Sequence, residues 1–246
     1  FLAPRVDRIF IPHLIKVERD AFICPKFMGL PDLVRHALPG LASKLLVSKV
    51  GPKKVDPIMS LIKTALREGV SKAMAHKARK IISKPAKNPA LEIAEYYRKK
   101  SEVFTGSDLT VGILGHPYCI YDFCLNLNTL ERLTGNVRFV TPEMMPDQFK
   151  GAGAGRLPKS LFWTMGRLQF DAAEWMLTAK KVDGFIQLVT FACGPEAIVG
   201  DLLERKIKEA GKPFLRLYFE EHSGEAGIIT RLEAFLDLLK YRSRAC

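Results

Sequence analysis

Long apolar runs are absent from this 246-residue sequence: Lys, Arg, Asp or Glu breaks every hydrophobic stretch before the ~18 to 20 residues a membrane-spanning helix needs. No membrane partner is expected. Cysteine is scarce, five residues with no C-x-x-C pair, which excludes a disulfide-built miniature scaffold and a sequence-local zinc knuckle. With 18 Gly and 15 Pro and no period, the chain is neither collagen-like nor low-complexity. A secretory leader is not visible, because Arg5, Asp7 and Arg8 interrupt any apolar core near the start. The cysteines are therefore read as reduced thiols or metal ligands and the chain as cytoplasmic, and a start at Phe1 instead of Met implies residues upstream. What is present suffices for a globular core: 48% of residues are hydrophobic.

Acidic residues are also short, 26 against 38 Lys and Arg, for a formal charge of +12. The excess is local. Between Lys44 and Lys100 fifteen Lys and Arg face four acids, and the remainder is nearly neutral. Such a face can meet an acidic protein or cofactor phosphates, or simply be solvated. Aromatics are sparse within it and no zinc-finger or RNA-binding signature accompanies it, so nucleic acid is not an expected partner.

Short β-branched apolar runs alternate with longer helical patterns, which predicts an α/β fold. Strands are expected at 6–11, 44–50, 109–114, 137–141, 184–190 and 213–219, several apolar on both faces, as in a mainly parallel sheet covered by helices. Helices are expected at 118–133, 158–179, 195–210 and 225–242, with two or three more in 55–104, where Asn88 before Pro89 reads as an N-cap. The organisation expected is two Rossmann-like (flavodoxin-like) units: 1–54 as the remainder of a first unit incomplete at its N-terminus, 55–106 as a basic helical segment joining them, and 107–246 as the second.

The glycine run Gly151-Ala-Gly-Ala-Gly155 follows no expected strand and lacks both the Walker lysine and the dinucleotide spacing, so it reads as a loop and not as an ATP or NAD site. Cys119 and Cys124 can be small buried hydrophobes; on one helix they would lie ~140° apart, too far round to share a metal. Cys24 and Cys193 each end an extended apolar run and precede Pro or Gly-Pro, which places their thiols at the carboxyl edge of a sheet, where ligands gather. Glu221-His222-Ser223 follows the last strand and precedes a helix. It is either a proton-transfer loop or a helix cap with surface ion pairs.

Four ordered motifs, Phe-Ile-Cys24-Pro-Lys-Phe-Met-Gly-Leu-Pro, Gly-His116-Pro-Tyr-Cys119-Ile-Tyr-Asp, Phe-Ala-Cys193-Gly-Pro-Glu-Ala and Glu-Glu221-His222-Ser223-Gly-Glu-Ala-Gly-Ile-Ile-Thr-Arg-Leu-Glu-Ala-Phe, resemble the acyl-CoA dehydratase activase-related proteins. These are relatives of the iron-sulfur subunits of 2-hydroxyacyl-CoA dehydratases and of double-cubane-cluster proteins. The resemblance implies a [4Fe-4S] cluster with Cys24 and Cys193 as ligands and a third thiolate either upstream or absent; Cys119 and Cys124 carry over poorly. It further implies a separate ATP-dependent activator, a CoA thioester as substrate, and room for a homo-oligomer. Gly194 and Pro195 would lie against the cofactor at a helix N-terminus, and His222, oriented by Glu221 beside Ser223, would deliver a proton. The competing readings are an accessory module that binds a CoA ester, a cluster or an activase without turnover, and a basic-face binder of nucleic acid.

Overall fold

The computed structural model describes residues 3–17, 20–51, 56–84, 89–104, 108–179 and 182–245. The expected N-cap at Asn88 lies outside these residues. The chain divides into two compact units, one of Phe1–Ala86 with Phe162–Thr164, the other of Lys87–Leu161 with Met165–Cys246. Both sheets are parallel, so the α/β expectation holds.

The first unit pairs β1 (Ile9–Leu14) with β2 (Leu45–Val50) around the crossover helix α1 (Pro25–Ala37), in the register Ile9 to Leu45 through Leu14 to Val50. β1 begins three residues later than the β-branched pattern suggested and runs through Pro12, tolerable in a strand with a free edge. Helices α2 (Pro57–Arg67) and α3 (Lys72–Ile82) follow, started by the side chains of Asp56, which accepts from the Ile58 N–H at 2.9 Å, and Ser71, which accepts from Met74 at 3.3 Å. On α2 Ile58, Leu61 and Ile62 are half-buried, and on α3 Ala75 alone is buried.

The second unit opens with α4 (Pro89–Phe104), followed by β3 (Thr110–Gly115), the short helices α5 (Pro117–Tyr121) and α6 (Thr129–Thr134), and β4 (Arg138–Val140). Next come α7 (Thr164–Thr178), β5 (Gly184–Thr190), α8 (Gly194–Glu209), β6 (Phe214–Phe219) and α9 (Glu225–Ala245). The strand order is β4-β3-β5-β6. From β3 the chain moves outward to β4, then returns past β3 to lay down β5 and β6. The gap between the carboxyl ends of β3 and β5 is therefore the topological switch point, where open α/β sheets hold their ligands.

Alternation along the strands builds the two layers of core. Val111 and Ile113 with Ile186 and Leu188 face Ile120, Leu133, Leu232 and Phe235 on one side. Leu114 and Phe185 face Met176, Val199 and Leu203 of α7 and α8 on the other. By the same parity Gln187 belongs to the α7/α8 face.

Two expected helices are shorter in the structure. The pattern at 118–133 is interrupted because Asp122 and Asn126 bond the local backbone: the Leu125 N–H donates to Asp122 at 2.9 Å, and the Asn126 amide donates to the Ile120 carbonyl at 2.6 Å. Leu127 and Asn128 then turn the chain at φ 52 and 58. This corrects the shared helix considered for Cys119 and Cys124, since Cys119 is on α5 and Cys124 in the turn beyond it. The helix expected at 158–179 starts only at Thr164, because 162–164 is extended against Phe22, with the Phe22 N–H donating to the Phe162 carbonyl at 2.9 Å and the two rings stacked at 4.7 Å.

Candidate functional site at the switch point

At the switch point β3 ends in Gly115 and passes directly to His116, while β5 ends in Thr190 and passes through Phe191 and Ala192 to Cys193. Gly115 sits at φ +148, and a Cβ there would lie 2.6 Å from the Leu188 carbonyl oxygen, so only glycine lets β3 and β5 meet this closely beside His116. Ala192 takes the left-handed conformation, φ 60, a strain of ~1–2 kcal/mol that turns the strand sharply into α8. Cys193 is the N-cap of α8 and Pro195 fills its first turn, so the sulfur lies at the positive end of a 16-residue helix. No atom would meet a Cβ on Gly194 within 4 Å, so the space beside it is open.

One helical turn on, Glu196 is 3% exposed, yet three donors reach its carboxylate. His116 Nε2 lies 3.0 Å from Oε2, Gln169 Nε2 of α7 donates to Oε2 at 3.1 Å, and Gln187 Nε2 of β5 donates to Oε1 at 2.8 Å. Gln187 is oriented in turn by Arg216 of β6, whose Nε donates to its Oε1 at 2.8 Å. Gly200 of α8 makes room for this: a Cβ there would lie 3.0 Å from Gln187 Oε1. The other ring nitrogen of His116, Nδ1, is 2.7 Å from the Tyr118 hydroxyl, which pins the imidazole with Nε2 toward Glu196 and Cys193. The ligating atoms of His116, Cys193 and Glu196 all lie within 4.8 Å of one another.

Charge follows from this packing. Burial by itself would push the His116 imidazolium down, but its hydrogen bonds to Cys193 and to the Glu196 carboxylate carry it up to about 11. Burial also opposes the Cys193 thiolate, and the His116 imidazole and the Glu196 backbone N–H outweigh it, holding the thiol below its usual value. Cys119 goes the other way: 1% exposed, its thiol is pushed up to about 12 by burial and by the charges of Glu196 and Cys193.

The remaining expected residues fall as follows. Cys24 is the half-buried N-cap of α1 in the first unit, with Pro25 in the first turn, the same local arrangement as Cys193. Cys124 is exposed. Glu221 and His222 are exposed on the loop after β6, at the carboxyl edge of the strand that neighbours β5. Ser223 closes that loop: its Oγ accepts from the Glu220 N–H at 2.9 Å, and α9 begins with Glu225 in its first turn, paired to Arg132. His116 and Glu196 lay inside the quoted motifs but carried no assigned role. Their signal was a histidine between a strand end and a proline, and an acid one helical turn after Cys193.

The glycine run has its anion already. The Asp171 carboxylate, 4% exposed, accepts from the backbone N–H groups of Gly151, Gly153 and Ala154 at 2.7, 2.9 and 2.7 Å. These are the donors a phosphate would need.

Among the described residues no helix is long and apolar enough to cross a membrane. Residues 1–145 match the profile of the family described as CoA enzyme activase uncharacterised domain (DUF2229). No curated protein matches the chain.

Proposed function

Because the chain belongs to the CoA enzyme activase uncharacterised domain family, we propose that it is an iron-sulfur component of the 2-hydroxyacyl-CoA dehydratase type, acting with an ATP-dependent activator in low-potential electron transfer or in reductive dehydration of a CoA thioester. The observation that carries this reading is the place of the Cys193 sulfur, the N-cap of α8 on the switch-point edge beside His116 and Glu196. The donor chemistry suits a [4Fe-4S] cluster in part. Cys193 and Cys24 are N-cap sulfurs suited to thiolate ligation, Cys119 is held as a thiol, and the reading requires a further thiolate beyond these.

A bound cluster would supply one-electron chemistry at low potential. The chain's own residues do the rest. The N-terminus of α8 stabilises negative charge on Cys193, and the His116 N–H, directed by Glu196, donates toward the sulfur and fixes its position. Gly194, with nothing within 4 Å of a Cβ built on it, and Pro195 would lie against the group. His222 is exposed on the neighbouring loop and serves as the proton donor to a leaving hydroxyl, with Glu221 and Ser223 setting the loop.

Anaerobic reconstitution with iron and sulfide tests this. The expected product is brown, contains iron and acid-labile sulfide in equal amounts, and loses both in Cys193→Ser and in Cys24→Ser. Full retention in both variants overturns the ligand assignment. His222→Ala should abolish activator-dependent turnover with the melting temperature intact; a parallel loss of stability would make the histidine a structural part of the loop.

A further inference from the structure

The donors around Cys193 are of three kinds, and that mixture is not what a cubane asks for. A cubane takes one thiolate per iron, whereas one thiolate, one imidazole and one carboxylate converging on a point is the donor set of a single borderline-soft ion. We propose that His116, Cys193 and Glu196 form a seat for one divalent ion of the zinc or ferrous class, complete within the second unit, with one coordination position left open.

Three observations carry the assignment. The ligating atoms lie within 4.8 Å of one another, and His116 Nε2 is already 3.0 Å from Glu196 Oε2. An ion with bonds of ~2.0–2.3 Å in tetrahedral geometry holds its donors ~3.4 Å apart, so side-chain movements of about an ångström close the set, and the entering ion displaces the His116 Nε2 proton and any Cys193 thiol proton to solvent. Second, each nitrogen and oxygen ligand has the outer partner that metal ligands characteristically have: Nδ1 of His116 is bonded to the Tyr118 hydroxyl, and Glu196 is fixed by Gln169 and by Gln187, itself oriented by Arg216. Third, Gln169 is 1% exposed, and its Oε1, on the amide whose Nε2 bonds Glu196, has no hydrogen-bond partner among the described residues. It is an unspent buried acceptor on the amide that holds the carboxylate ligand. His116 and Glu196 are buried while Cys193 is half-exposed, so the fourth position falls on the thiolate side, where a water or a substrate sulfur or oxygen can enter.

The inference shares Cys193 with the cluster reading and makes a different demand. The cluster needs inorganic sulfide and thiolates from elsewhere, including Cys24; the single ion needs three side chains of one unit. The test is titration of the whole chain, freed of metal, with Co²⁺ and in competition with Zn²⁺. One ion per chain is expected, with thiolate-to-cobalt charge-transfer absorption. His116→Ala and Cys193→Ser should each weaken Zn²⁺ more than ~100-fold, beyond the ~10- to 100-fold typical of an outer partner, while Cys24→Ser leaves affinity unchanged. Circular dichroism of each variant confirms that it is folded, and Cys193→Ser, the smaller change at a half-exposed position, keeps the test valid if His116→Ala fails. No binding, cobalt absorption without the sulfur band, undiminished affinity in folded variants, or loss of the ion in Cys24→Ser each overturns the seat. Cluster failure reads separately, as absence of sulfide after reconstitution.

Discussion

Replacing Glu196 by alanine removes an acceptor on which three buried donors converge, and the structure sets the size of the loss. The carboxylate is 3% exposed and takes His116 at 3.0 Å, Gln169 at 3.1 Å and Gln187 at 2.8 Å. Each orphaned donor costs ~1–3 kcal/mol unless water reaches it, and truncating one member of a buried ion pair typically costs ~3–5 kcal/mol. Water entering the vacated volume offsets part of the sum, so ~3–5 kcal/mol is the expected net loss. For a chain of this size each kcal/mol moves the melting temperature by ~2–4 °C, which puts Glu196→Ala on the order of 10 °C below the parent in metal-free buffer. Thermal unfolding followed by circular dichroism and calorimetry measures it. Gln187→Leu in the Glu196→Ala background should cost less than in the parent, because the donor it deletes has already lost its acceptor. A Glu196→Ala midpoint within ~2 °C of the parent would mean that the carboxylate is solvated and the network carries no energy.

Three further outcomes follow from other contacts. Asp171→Ala strips the acceptor from three backbone N–H groups and should cost ~3–5 kcal/mol, with protease cleavage appearing near Gly151–Gly155; cleavage and stability as in the parent would refute the cradle. Gly115→Ala drives a Cβ toward the Leu188 carbonyl and should destabilise by ~2–4 kcal/mol, read as a lower denaturant midpoint at unchanged slope; an unchanged midpoint would show that the strands can part freely. Burial raises the Glu143 carboxyl, its Oε2 bonded to the Tyr121 hydroxyl at 2.5 Å and its Oε1 buried without a partner among the described residues. A raised acid contributes stability fully below its unfolded value of ~4.3 and loses it as pH rises through the folded value, so Glu143→Gln should gain on the parent from acid toward neutral pH. A pH-independent difference would place the carboxyl in solvent.

Strand positions were legible because both-face burial leaves uninterrupted β-branched runs: 184–190 was read to the residue, and the other second-unit strands to within one residue at either end. The first unit was less so. Its strands have open edges and few buried partners, so Phe10 remains 48% exposed and periodicity says little about where β1 begins. The helix break after Tyr121 was hidden because Asp122 and Asn126 act by bonding backbone, which hydropathy does not register. At the site, the expectation that Cys193 stands at a carboxyl edge follows from one local pattern. Its company does not: His116 is 77 positions away, and only the order β4-β3-β5-β6 brings the ends of β3 and β5 together. Asp171 was invisible for the same reason, since its role depends on α7 packing beneath a loop 20 residues upstream.

If the Cys193 sulfur is a metal-binding atom beside His116 and Glu196, bound metal must shield it from iodoacetamide, a modification resolved by peptide mass spectrometry. In metal-free protein Cys193 should be alkylated readily while Cys119, 1% exposed, stays unmodified. Preloading with Zn²⁺, or with iron and sulfide under anaerobic conditions, should protect Cys193, and His116→Ala should abolish the protection by zinc. Alkylation of Cys193 at the same rate with and without metal would mean that the sulfur binds neither zinc nor a cluster.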